Sequence, residues 1–123
     1  MVDTRIPELM WANLFDVFNE RDPLRRSTAA AHTCSDDVRW TDDQGVTTGR
    51  SALEAKAEVL QQNLGDLQFI AAGPTHQTLG MGYLAFHLVE PGGHTPLISG
   101  FDVAIVRDGR IAELYTVVTH QPR

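Results

Sequence analysis

The sequence predicts one α+β domain in which a strongly curved antiparallel sheet wraps over N-terminal helices and leaves a mostly apolar pocket for a small molecule. Helical periodicity occupies the first half of the chain, and β-branched and aromatic segments separated by turn residues occupy the second. Length supplies the third observation: 123 residues bury one core but not two, so a single domain spans 1–123.

The first helix is expected over residues 6–18, where Ile6, Met10, Leu14, Val17 and Phe18 recur every three or four positions and Trp11 and Phe15 widen the stripe. Asp22-Pro23 is a cap followed by proline at a first helical position, so a second, shorter helix runs to about His32. It has only Leu24 and its alanines to bury, and should lie outside the first. Val38-Arg39-Trp40-Thr41, the turn Asp42-Asp43-Gln44-Gly45 and Val46-Thr47-Thr48-Gly49 read as a short hairpin. Ser51-Ala52-Leu53-Glu54 matches a capping box, opening a third helix with Leu53, Ala57, Leu60 and Leu64 inward and Lys56, Glu58, Gln61 and Gln62 outward. A meander follows, with strands at 67–78, 81–90, 97–107 and 110–119. Gly73-Pro74 puts a bend in the first of these, and Asp108-Gly109 is a two-residue hairpin turn.

With 10 basic against 16 acidic residues, a formal charge of -6 and no basic stripe, the chain is no nucleic-acid binder. No stretch is long and apolar enough for a membrane span, and charges and a proline interrupt the N-terminus where a signal peptide needs an apolar run. A single cysteine, Cys34, fits a reducing compartment, and the expected location is cytoplasmic. None of the five histidines has metal-ligand spacing, and no nucleotide fingerprint or nucleophile elbow occurs, so neither metal nor cofactor is expected.

Asp102 is the most informative residue. It stands alone in Leu97-Ile98-Ser99-Gly100-Phe101-Asp102-Val103-Ala104-Ile105-Val106, where ionisation is costly and a raised pKa follows. It reads either as a satisfied structural aspartate or as a donor facing a pocket. Asp42 ends a strand where a side chain can reach a pocket mouth, although aspartate there also suits the turn, which is the reading for Asp43. Trp11, Phe15, Trp40 and Tyr83 supply aromatic surface for a flat apolar ligand, with ordinary core as the alternative, and His87 is a possible donor mid-strand. Both faces of the 100–106 segment are apolar: helices cover one, and a second copy of the chain is the simplest cover for the other. A homodimer through the outer sheet face is therefore expected.

Phe18-Asn19-Glu20-Arg21-Asp22, Asp36-Asp37-Val38-Arg39-Trp40-Thr41-Asp42, Gly49-Arg50-Ser51-Ala52-Leu53 and Gly100-Phe101-Asp102-Val103 with Asp108-Gly109-Arg110-Ile111 together resemble the nuclear transport factor 2-like superfamily, in its SnoaL-like and ketosteroid isomerase-like branch. The resemblance covers nearly the whole chain. It implies a cone-shaped, cystatin-like α+β roll with Asp42 at the position of a catalytic base and Asp102 at that of a protonated aspartate holding an oxyanion. The tyrosine that shares this task in the isomerase is matched by Leu14, with Phe15 beside it. Losing one such donor costs about a hundredfold or more in rate, which argues against strict steroid isomerase activity. His87 or Tyr83 is the candidate replacement. The function so implied is cofactor-independent acid/base chemistry, isomerase- or cyclase-like, on an apolar carbonyl compound of steroid or polyketide type. The alternative is a non-catalytic ligand-binding or accessory protein using the same pocket.

Overall fold

The computed structural model describes residues 4–122. Helix α1 (Arg5–Trp11) runs without a break into a π-helical stretch (Ala12–Phe18), closed by the Asn19 amide donating to the Leu14 carbonyl. Ile6, Met10, Leu14, Val17 and Phe18 are all buried, as the periodicity predicts, and Leu9 and Asn13 join them. Asp22 caps α2 (Pro23–Thr33) by accepting from the Arg25 amide. Ala30 of α2 is buried as expected, but Leu24 is 79% exposed, whereas Arg26 is 3% exposed. Arg26 donates to the Glu20 carbonyl and to Gln61 Oε1, and Gln61 Nε2 in turn donates to the carbonyls of Phe18 and Glu20. These bonds satisfy the carbonyls left open where the π-helical stretch ends, which apolar Leu24 could not do.

Strand β1 (Cys34–Asp42) begins four residues earlier than the alternation suggested and pairs with β2 (Gly45–Thr48) through the expected hairpin. Helix α3 (Arg50–Leu64) starts at Gly49, whose φ of 96° only glycine adopts readily, and Ser51 makes no capping bond. The capping box is thus not used. Gln61, expected to face outward, is buried against Arg26. The strand expected over 67–78 is two short ones, β3 (Gln68–Ala71) and β4 (His76–Thr78), divided at Gly73-Pro74 and both paired with β5 (Met81–Val89). β6 (Ile98–Arg107) and β7 (Arg110–His120) are joined by Asp108-Gly109 with φ of 54° and 77°, the geometry of a tight hairpin turn.

The strands form one open sheet in the order β2-β1-β7-β6-β5-β3. It is mixed rather than wholly antiparallel, because β1 runs parallel to β7. Register shifts between Ser99 and Gly100 and between Ile105 and Val106 mark irregularities of the kind that bend a sheet. Glycine is required at two close approaches. A Cβ on Gly100 would lie 2.3 Å from the Val117 carbonyl oxygen, and one on Gly82 would lie 2.7 Å from Ile6 Cγ2. Gly82 is therefore where α1 beds onto the sheet. The core fills the concave side, between the helices and Leu84, Phe86, Ala104, Ile111 and Leu114.

Candidate active site

Six elements, β1, α3, β3, β5, β6 and β7, converge on one cavity of about 260 Å³. Its aromatic wall is Trp40 from β1, Phe69 from β3 and Phe86 from β5, and Leu60 of α3 forms another side. Phe18 lies edge-on to both Trp40 and Phe69, with centroids 5.0 and 6.4 Å away, and Phe69 is likewise edge-on to Phe86 at 5.2 Å. Such edge-to-face contacts fix the ring planes. A smaller space of about 20 Å³ adjoins the cavity, sharing Trp40, Leu60, Phe69, Phe86 and Thr116 as walls and reaching Leu14, Phe18 and Asp102.

Asp102 is 5% exposed. Burial pushes its carboxyl up to about 7 against the opposing pull of the Thr116 hydrogen bond. The direction of that bond follows from chemistry. An indole N–H can only donate, so Trp40 Nε1 donates to Thr116 Oγ1 at 3.0 Å, and the threonine passes its single hydrogen to Asp102 Oδ1 at 2.7 Å. On the other oxygen, Asn13 Nδ2 donates to Oδ2 over 3.4 Å. Asn13 is wholly buried, and its own Oδ1 has no hydrogen-bond partner among the described residues. Protein side chains thus reach both Asp102 oxygens.

Asp42 and Lys56 stand together on the same cavity. Lys56 Nζ lies 2.6 Å from Asp42 Oδ2 and 4.6 Å from the centroid of the Trp40 ring. The Gln44 amide donates to Asp42 Oδ1 at 2.9 Å. The aspartate therefore anchors its own turn and carries a counter-charge at the same time, leaving one acceptor position on each oxygen. Among the described residues no group of three or more histidine, cysteine, aspartate or glutamate side chains is placed to hold a metal.

The backbone has the course of several solved structures. Over 96% of this chain and 100% of the other, it superposes with a TM-score of 0.87 at 21% identity on a SnoaL-like family protein from Agrobacterium tumefaciens strain C58, named as a candidate isomerase. A candidate ketosteroid isomerase from Kribbella flavida matches with a TM-score of 0.72 at 18% identity, over 97% of this chain and 81% of that one. A candidate SnoaL-like polyketide cyclase from Jannaschia sp. CCS1 matches with a TM-score of 0.71 at 13% identity, over 97% and 91%. The fold is that of SnoaL-like and ketosteroid isomerase-like proteins. No protein-family model matches the chain, and no curated protein matches its sequence.

Within this SnoaL-like fold the residues singled out in the sequence divide between the two sides of the sheet. Asp42 and Trp40 line the cavity, and Asp102 and Leu14 line the space adjoining it. Trp11 and Phe15 do not line it: they stack on each other at 4.9 Å, with Trp11 46% exposed and Phe15 packed against the core from the side. Tyr83 and His87 do not reach it either. They alternate with the inward Leu84, Phe86 and Leu88 on β5, so the period of two turns them to the convex side. There Tyr83 packs on Phe101 at 5.2 Å and His87 Nδ1 pairs with Ser99 Oγ at 2.8 Å. Asn13 and Thr116 are polar groups at the site that the sequence did not single out, and Lys56, expected to face outward, lines the cavity instead. Each had a signal: Asn13 falls on the Ile6, Met10, Val17 stripe, Lys56 lies between Leu53 and Leu60 at helical spacing, and Thr116 shares the parity of buried Leu114.

Proposed function

We propose that the cavity binds a small apolar carbonyl compound and moves a proton on it, in the manner of an isomerase or cyclase and without a cofactor. The observation that carries this is a carboxyl buried in a small space that shares walls with the cavity, while a second carboxylate, paired with Lys56, stands on the cavity itself. In this reading the Asp42 carboxylate removes a proton from the carbon beside the carbonyl. The C–H electron pair moves through the carbon to the carbonyl oxygen, and the protonated Asp102 donates a hydrogen bond to the enolate that forms. Asp42 then returns the proton to a different carbon, or the enolate carbon attacks a second carbonyl, whose C=O π electrons go to its oxygen, and that oxygen takes the proton from Asp42. The neighbours of the same fold named as candidate isomerases and a candidate polyketide cyclase support the reaction class.

The test does not need the natural substrate. Incubation with 2-tetralone in deuterium oxide, followed by proton NMR, reads exchange beside the carbonyl. Wild-type protein should accelerate it, and Asp42→Asn should lose about a hundredfold or more of that acceleration. Equal exchange rates in wild type and Asp42→Asn would remove the base from the mechanism. A second reading is favoured by the Lys56 ion pair and the Gln44 bond, which hold Asp42 in a structural role: a binding protein without chemistry. It expects saturable ligand binding with no exchange above the buffer rate.

We also propose a homodimer through the convex face of the sheet. On it Tyr83, Val103 and Tyr115 form one row across β5, β6 and β7, and Ala85, Phe101 and Val117 form the next. A second copy would remove this apolar surface from water.

A further inference from the structure

We infer that the ligand is a bicyclic ketone or phenol with one oxygen at its inner end, rather than a four-ring steroid. This rests on the proposed binding role of the cavity and adds its size and polarity. A closed apolar cavity of about 150 Å³ holds one benzene, or roughly 25 Å³ for each heavy atom. At that ratio the 260 Å³ here takes about ten heavy atoms, the size of a fused two-ring skeleton. A steroid has about twice as many, and its outer rings would stand in water beyond the walls.

The polar groups are distributed to match. The adjoining space at Asp102 is about 20 Å³, enough for a single water-sized oxygen and too small for a ring. Its other walls are apolar save for the Trp40 N–H and the Thr116 hydroxyl, which are already engaged with each other and with Asp102, so one oxygen is all that can be satisfied there. Trp40, Phe69 and Phe86 then flank a body that offers no hydrogen-bonding group, since the Trp40 N–H is already given to Thr116. A second polar function can be met by Asp42 and Lys56, or by Gln44, Asn63 and Gln121 on the same cavity.

Calorimetric titration at pH 6 with 2-naphthol and with estradiol tests the size limit, since both present a phenol and differ mainly in length. The expected result is 2-naphthol binding at least tenfold more tightly than estradiol. Asp102→Leu should weaken 2-naphthol about tenfold, because the oxygen loses its partner. Leu60→Ala, which lengthens the cavity at a half-buried wall, should narrow the gap between the two ligands. Estradiol binding wild type as tightly as 2-naphthol overturns the size limit while leaving the pocket intact. Binding of 2-naphthol that Asp102→Leu leaves unchanged overturns the assigned orientation. Binding of neither compound overturns the ligand pocket itself, and the size inference with it.

Discussion

Asp102 shows how one side chain acquires its chemistry from its surroundings. Its carboxyl is raised from 3.8 to about 7 because burial penalises the charged form more than the Thr116 bond relieves it. The sign of the linked stability follows. Between these two values the folded chain keeps a proton that the unfolded chain releases, so the contribution is complete below the unfolded value and is lost as pH rises to about 7. The span corresponds to roughly 4 kcal/mol. Asp102→Asn removes the titration and keeps the shape. Thermal melts at pH 5 and pH 8 should show wild type falling relative to Asp102→Asn by on the order of 10 °C. A parallel fall in both proteins would mean that Asp102 is ionised throughout. The same titration sets the proposed donor: hydrogen bonding to an enolate oxygen needs the protonated form and fades above about pH 7.

The junction of the first two helices illustrates how an element can be positioned by polar rather than apolar contacts. Arg26, Gln61 and the carbonyls of Phe18 and Glu20 form a connected cluster, with Arg21 adding bonds to the carbonyls of Gln61 and Leu67. Gln61→Leu keeps the volume but takes from the Arg26 guanidinium its Gln61 acceptor and from the Phe18 carbonyl its Gln61 donor, the Glu20 carbonyl keeping its Arg26 bond. The expected loss is about 3 kcal/mol or more by denaturant titration, and a change under 1 kcal/mol would show that the cluster is idle. Helical periodicity located α1, α2 and α3 but not this cluster, because it ranks faces by apolarity and a paired arginine beats an unpaired leucine for a buried place only once its partners are present. Asn13 was passed over for the same reason: it occupies a stripe position, and only the approach of β6 supplies Asp102 as its partner.

Across the whole molecule the sheet creates both the cavity and the surface proposed to pair. Its concave side carries Asp102, Thr116 and the aromatic wall, while its convex side carries Tyr83, Phe101, Val103, Tyr115 and Val117. If a second copy covers the convex side, wild type sediments as a dimer at micromolar concentration and Val103→Arg as a monomer with an unchanged circular dichroism spectrum. A monomeric wild type ends that proposal.

The sequence by itself determined the α+β class, the three helices, the turns at Asp42-Asp43-Gln44-Gly45 and Asp108-Gly109, and the isolation of Asp102 in an apolar strand, since each is a local matter of spacing and turn chemistry. Tertiary structure decided the parallel pairing of β1 with β7, because alternation reads the same in either chain direction. It decided as well which parity of β5 faces the cavity, excluding Tyr83 and His87, because both faces of that strand are apolar enough to be buried. Lastly, it gave Asp42 its Lys56, because α3 packs on β1, and the register shift between Ile105 and Val106 set Thr116 rather than Tyr115 opposite Asp102 across the β6–β7 hairpin.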